Sequence, residues 1–99
     1  MTLKGKQKRV LRSLGQLLDP VVFIGKEGIS AATVASTEEV FRRRELIKVR
    51  VLNTAPDDTA ALAAALAKTT GSELAGTVGH TFLLYRKNPT VREPIELPA

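Results

Sequence analysis

Between residues 21 and 52 the hydrophobic period of the chain changes twice, and this stretch limits the possible folds more than any other. Val21–Ile24 is a short apolar, β-branched run of the kind a buried strand needs. Gly25-Lys26-Glu27-Gly28 follows at once. Residues 29–43 then carry Thr33, Val34, Thr37, Val40 and Phe41 at helical spacing, with Ser30 placed as the N-cap. In Leu46–Leu52, Ile47, Val49 and Val51 alternate with Lys48 and Arg50, which predicts a strand with one buried face and one basic face. Strand, helix and strand in this succession imply parallel strands joined by a right-handed crossover.

The flanks extend the pattern. Residues 3–18 read as an amphipathic helix with Leu3, Val10, Leu11, Leu14, Leu17 and Leu18 on one face. Lys8, Arg9 and Arg12 fall on the opposite side, with Lys4 and Lys6 at its margins. Thr2 is the expected N-cap, and Asp19-Pro20 ends the helix. Pro56, Asp57 and Asp58 open a third, alanine-rich helix with Leu62 and Leu66, which stops at Gly71. Glu73–Val78 and Thr81–Arg86 are strands joined by the two-residue hairpin signal Gly79-His80. The order α-β-α-β-α-β-β predicts an α/β (α+β) fold with a four-stranded mixed sheet. One domain is expected over residues 1–88. Residues 89–99, with Pro89, Pro94 and Pro98, read as an extended, mobile tail.

Composition narrows the chemistry. The chain has 99 residues, no cysteine and one histidine, which excludes disulfides, thiol catalysis and Cys- or His-rich metal sites. The longest apolar run, Ala60–Ala67, is eight residues, against about 20 for a membrane span. The basic start leads into no uninterrupted apolar core, so no signal peptide is expected. The charge is lopsided. Residues 1–50 hold 11 basic and 5 acidic residues, while residues 51–99 hold 4 and 5. An excess concentrated in one half points to a polyanionic partner, although a +5 total alone would also fit a face that only aids solubility.

Gly25-Lys26-Glu27-Gly28 is the sharpest local feature. Gly-x-x-Gly between a strand and a helix N-terminus puts backbone N–H groups and a positive dipole where a phosphate can meet them, and Lys26 adds a cation. The alternative is a plain tight turn. The loop is neither a Walker loop nor a dinucleotide fingerprint. His80 has no visible acid–base partner and reads as a turn residue. Ser30 and Ser36 read as cap and helix face, Glu38 and Glu39 point apart on a helix, and Asp57 and Asp58 suit the helix dipole. No enzyme, metal or cofactor is expected. Among the aromatics, Phe23 and Phe41 are expected in the core, leaving Tyr85 as the one candidate for base stacking, with packing on the sheet as its alternative, so that backbone recognition fits the composition better than stacking.

Several blocks in succession resemble the CRM-domain family, in its single-domain bacterial YhbY type. They are Thr2–Arg9 with Leu11-Arg12-Ser13-Leu14, Pro20-Val21-Val22 with Ile24–Ile29, and Arg44-Glu45-Leu46-Ile47-Lys48-Val49. Leu66-Ala67 with Thr70–Leu74, and Gly79–Arg86, complete the set over residues 2–87. The resemblance implies a fold like the C-terminal domain of a bacterial translation initiation factor, with an added N-terminal helix. It also implies RNA binding, with association to precursors of the large ribosomal subunit and a part in their maturation. The family's loop maps onto Gly25, Lys26, Glu27 and Gly28, and its basic first helix onto Lys4, Lys6, Lys8, Arg9 and Arg12. Arg42, Arg43 and Arg44 would extend that surface. The expected protein is a cytoplasmic, monomeric binder of ribosomal RNA with no membrane partner. The rivals are a basic protein-docking or anionic-membrane module using helix 3–18, and, further off, a small enzyme using His80.

Overall fold

Three helices and four strands follow one another in the expected order in the computed structural model, which describes residues 2–99. They are α1 (Gly5–Gly15), β1 (Val22–Ile24), α2 (Ala31–Phe41), β2 (Leu46–Val51), α3 (Thr59–Thr70), β3 (Glu73–Val78) and β4 (Thr81–Tyr85). The strands lie in the order β1-β2-β4-β3. β1 and β2 are parallel, and both remaining pairs are antiparallel.

Two apolar layers sandwich the sheet. On one face Val22, Ile24, Ile47, Val49, Phe82 and Leu84 pack with Phe41 of α2 and with Leu62 and Leu66 of α3. On the other, Leu3 and Leu11 meet Leu46, Ala75, Leu83 and Tyr85. Helices α2 and α3 therefore cover one face, and α1 crosses part of the other. The threonines of α2 suit this core because each hydroxyl has an acceptor. Fully buried Thr37 donates from Oγ1 to the Thr33 carbonyl at 2.8 Å, so burying it leaves no polar atom unpaired.

The caps are partly those expected. Ser30 Oγ accepts from Thr33 N at 3.1 Å, and Gly71 is the C-cap of α3. Asp58 caps α3 through Ala61 N at 2.8 Å, so Pro56 and Asp57 precede the helix rather than open it. Thr2 is not the cap of α1. The helix starts at Gly5, where the Lys4 N–H donates to Gln7 Oε1 at 2.9 Å and closes the first turn.

The buried line of α1 also differs from expectation. Leu3, Gln7, Leu11 and Gly15 are buried at four-residue spacing, whereas Leu14 is 37% and Leu17 83% exposed. Gly15 is the cause: a Cβ there would lie 2.4 Å from Leu83 Cδ1, so only glycine lets α1 press this close to β4. That approach turns Leu14 off the contact, and Leu17 is exposed because α1 ends at Gly15, short of the expected end at residue 18. Lys48 Nζ then donates to the carbonyls of Gly15 (3.3 Å) and Leu18 (3.4 Å), placing a cation at the negative end of α1.

The segment after β4 has no helix or strand, yet it is docked. Val91 is buried, Ile95 and Leu97 pack against the α1-side core, and Gln7 Nε2 donates to the Pro98 carbonyl at 2.9 Å. Its anchor is Glu45, 3% exposed, whose carboxylate accepts from Asn88 N and Ile95 N, both at 2.5 Å. A carboxylate buried fifty residues away from the amide it binds carries no local sequence signal, which is why the tail reads as mobile.

Candidate nucleic-acid interface

The glycine loop closes on itself before it can offer itself to a ligand. The Gly28 N–H donates to the Gly25 carbonyl at 3.0 Å, which puts Lys26 and Glu27 at an exposed tip. The Gly28 carbonyl in turn accepts from Ser30 N at 3.1 Å and from Thr33 Oγ1 at 3.3 Å. The turn is thus pinned to the first turn of α2. Of the loop amides, that of Gly28 is spent, while those of Lys26 and Glu27 make no hydrogen bond among the described residues. The two glycines differ in what they do. Gly28 has φ +63° and a built Cβ would lie 3.1 Å from Pro56 Cγ, whereas at Gly25 a Cβ would make ordinary 3.7 Å contacts with Leu52 and Thr54. Gly28→Ala is therefore expected to cost about 1–2 kcal/mol of stability, the left-handed penalty for a side chain, and Gly25→Ala less than about 0.5 kcal/mol. Urea denaturation of both variants checks this, and equal losses would contradict it.

At the N-cap and along α1, Lys4, Lys6, Arg9 and Arg12 are exposed and Lys8 is half-buried. None of them joins an ion pair among the described residues, where the pairs are Arg42–Glu39 (2.8 Å) and Arg86–Glu38 (3.0 Å). The stem of Arg12 rests on Gly76, where a Cβ would meet Arg12 Cγ and Cδ at 2.8 Å. Its head borders a hollow shared with Lys48, Val78 and Thr81.

Arg42, Arg43 and Arg44 do not join the loop. They follow the C-terminus of α2, about 16 Å along an 11-residue helix from the loop at its N-terminus. Arg42 is held by Glu39. Arg43 and Arg44 instead flank the end of α1, in a groove of about 470 Å³ that Leu14, Leu17, Leu18, Ile95 and Arg92 also line. The loop and Arg42–Arg44 are thus two separate clusters at opposite ends of α2.

Phe41 is in the core as expected and Tyr85 takes the packing alternative, whereas Phe23 departs from expectation. Tyr85 is 2% exposed, and burial, then the nearby Glu45 carboxylate, raises its phenol above the ordinary value of 10.0. It is a core residue. Phe23 is 54% exposed, because it sits between Val22 and Ile24 on edge strand β1 and points away from α2 and α3. Its sheet neighbour is exposed Arg50. Sequence reasoning placed Arg50 on a basic strand face but missed Phe23. Strict alternation through Val22-Phe23-Ile24 would have found it, had the strand been read as half-covered. Arg86, beside Tyr85, is structural: it donates to Glu38 and to the Thr70 carbonyl and lies 4.5 Å over the Phe41 ring. His80 is exposed in the β3–β4 turn, where its carbonyl accepts from Val51 N at 2.7 Å.

Among the described residues, no cluster of His, Cys, Asp and Glu could hold a metal, and no helix is long and apolar enough to cross a membrane. A model of the CRS1 / YhbY (CRM) domain family matches residues 3–86. The chain is 41% identical over 96 residues to a Bacillus subtilis protein named "Probable RNA-binding protein YqeI", with 97% of this chain and 99% of that one covered. It is 34% identical over 97 residues to an "RNA-binding protein" of Haemophilus influenzae, with 98% and 96% covered. The solution structure of the hypothetical protein SAV1595 from Staphylococcus aureus matches it with a TM-score of 0.83 at 42% identity, covering 98% of this chain and 100% of that one.

Proposed function

The chain belongs to the CRS1 / YhbY (CRM) domain family, and from that membership we propose that it binds RNA. Its target in this proposal is the ribosomal RNA of large-subunit precursors, which it helps to mature, as a cytoplasmic monomer and without catalysing a reaction. The observation that carries the RNA reading is the state of the α1 cations. Five basic residues in nine positions, Lys4 to Arg12, have no ion-pair partner among the described residues and no acid among them in sequence. Unneutralised charge at that density is what a phosphate backbone recruits, and releasing the counterions of that backbone drives the binding.

In this reading Lys26 and the free amides of Lys26 and Glu27 hold one phosphate beside the positive end of α2. Gly25 supports that contact by leaving room for a backbone to approach. Gly28 acts indirectly, by holding the turn shut. The α1 cations run the footprint along the other side of the sheet. Arg43 and Arg44 bind a more distant part of the same RNA.

Crosslinking in cells followed by sequencing of the bound RNA tests the target. Enrichment of large-subunit ribosomal RNA is expected, and a flat transcriptome-wide profile would overturn it. Exposed Leu17, in the groove with Arg43 and Arg44, favours a second reading in which that groove docks a protein. Retention on precursor particles after the RNA contacts are digested would select it.

A further inference from the structure

One lateral row of residues crosses all four strands on the face that α1 only partly covers. Phe23 of β1 is in register with Arg50 of β2, Arg50 with Thr81 of β4, and Thr81 with Val78 of β3. All four side chains leave the sheet on the side opposite α2 and α3, because their strand neighbours Val22, Ile24, Val49, Val51 and Phe82 fill the other core. The next row, Lys48, Leu83 and Gly76, is the one α1 occupies, with Gly15 on Leu83 and Arg12 on Gly76. Helix α1 thus stops one row short, leaving an open strip about 14 Å across, three interstrand gaps.

The strip is apolar at both ends and basic between. Phe23 is 54% and Val78 69% exposed, and Leu52, beside Gly25, is 39% exposed. Arg50 makes no ion pair among the described residues, and none of the four residues in the row is acidic. Phe23 lies three residues before Lys26, at most about 10 Å along the chain. A flat apolar ring, a free guanidinium and a phosphate-seeking loop therefore lie side by side. A nucleotide has the same pattern, a flat base joined to a phosphate, and both aromatic rings and guanidinium planes stack on bases.

The geometry points to this strip as a stacking platform for single-stranded RNA, with a base on the Phe23 ring, Arg50 beside it and the adjoining phosphate at Lys26. The inference rests on the RNA reading above and assigns that surface its base-contacting residue. Recognition would then include unpaired bases, whereas α1 and the loop alone would grip any phosphate backbone. Affinity should accordingly be higher for single-stranded than for fully paired RNA of equal length.

The chain has no tryptophan, so Phe23→Trp introduces a single indole whose fluorescence reports on position 23. Titration with a short single-stranded oligoribonucleotide should quench it, and an abasic oligomer of the same length should not. Phe23→Ala should weaken binding of the normal oligomer by on the order of 10- to 100-fold, the loss of one base stack, and leave abasic binding within about twofold. Phe23→Ala binding both oligomers like the unmodified protein, while Lys26→Ala weakens both, would overturn the platform and leave the RNA reading standing. No binding by the unmodified protein would overturn both. Quenching that rises with protein concentration in the absence of RNA would overturn the platform in favour of a second copy docking on β1.

Discussion

Replacing Glu45 by alanine is expected to lower the stability of the fold by about 3–6 kcal/mol, taking each of the two lost amide–carboxylate bonds at roughly 1.5–3 kcal/mol. The effect is large because the carboxylate does two jobs from a buried position. Its two oxygens take the Asn88 and Ile95 amides, and they hold the segment that covers Tyr85 and the end of the α1-side core. Without it, either two amides stay buried and unpaired or the segment lifts and exposes Ile95 and Leu97. A domain of this size loses roughly 4–8 °C of Tm per kcal/mol, so thermal unfolding should shift by at least about 12 °C. Glu45→Gln keeps one acceptor and should lose less. Hydrogen exchange should show faster exchange at Ile95 in both variants. A shift of a degree or two in Glu45→Ala would mean that the docked segment contributes nothing.

The second large effect concerns affinity. Changing Lys4, Lys6, Lys8, Arg9 and Arg12 together to glutamine should weaken RNA binding by about three and a half orders of magnitude at 0.1 M salt, since five phosphate contacts contribute roughly 0.7 decade each there. The fold should survive. Glutamine is a good helix former, the closing of the first turn uses the Lys4 backbone and the Gln7 side chain, and the Arg12 stem on Gly76 is partly kept. Circular dichroism should show unchanged helix content with Tm within a few degrees. An affinity loss under tenfold would reduce these cations to a solubility face.

What could be read in the sequence was what is decided locally. The Gly25–Gly28 turn, the Ser30 cap, the Gly71 stop and the Gly79-His80 hairpin depend on residues a few positions apart, and the structure has them where they were expected. The α/β alternation was legible for the same reason. What was not legible depends on which part of a face another element covers. Phe23 and Tyr85 both sit in apolar strand patterns, and only the placement of α1 and the C-terminal segment decides that Tyr85 is covered and Phe23 is not. Helix α1 shows the same thing in reverse: its leucine stripe predicts a contact through Leu3, Leu11, Leu14 and Leu17, but with the close approach at Gly15 only Leu3 and Leu11 are buried. The scatter of Arg42–Arg44 away from the loop follows from the length of α2, which the sequence contained but which matters only once its two ends are fixed in space.

The salt dependence of RNA binding tests the central claim most directly. Measured on the unmodified protein with single-stranded RNA, log K should fall against log salt with a slope of about −3.5 or steeper, one increment of roughly −0.7 for each α1 cation that meets a phosphate. The five-glutamine variant should flatten that slope by about the same amount. A slope near zero in the unmodified protein would contradict the account.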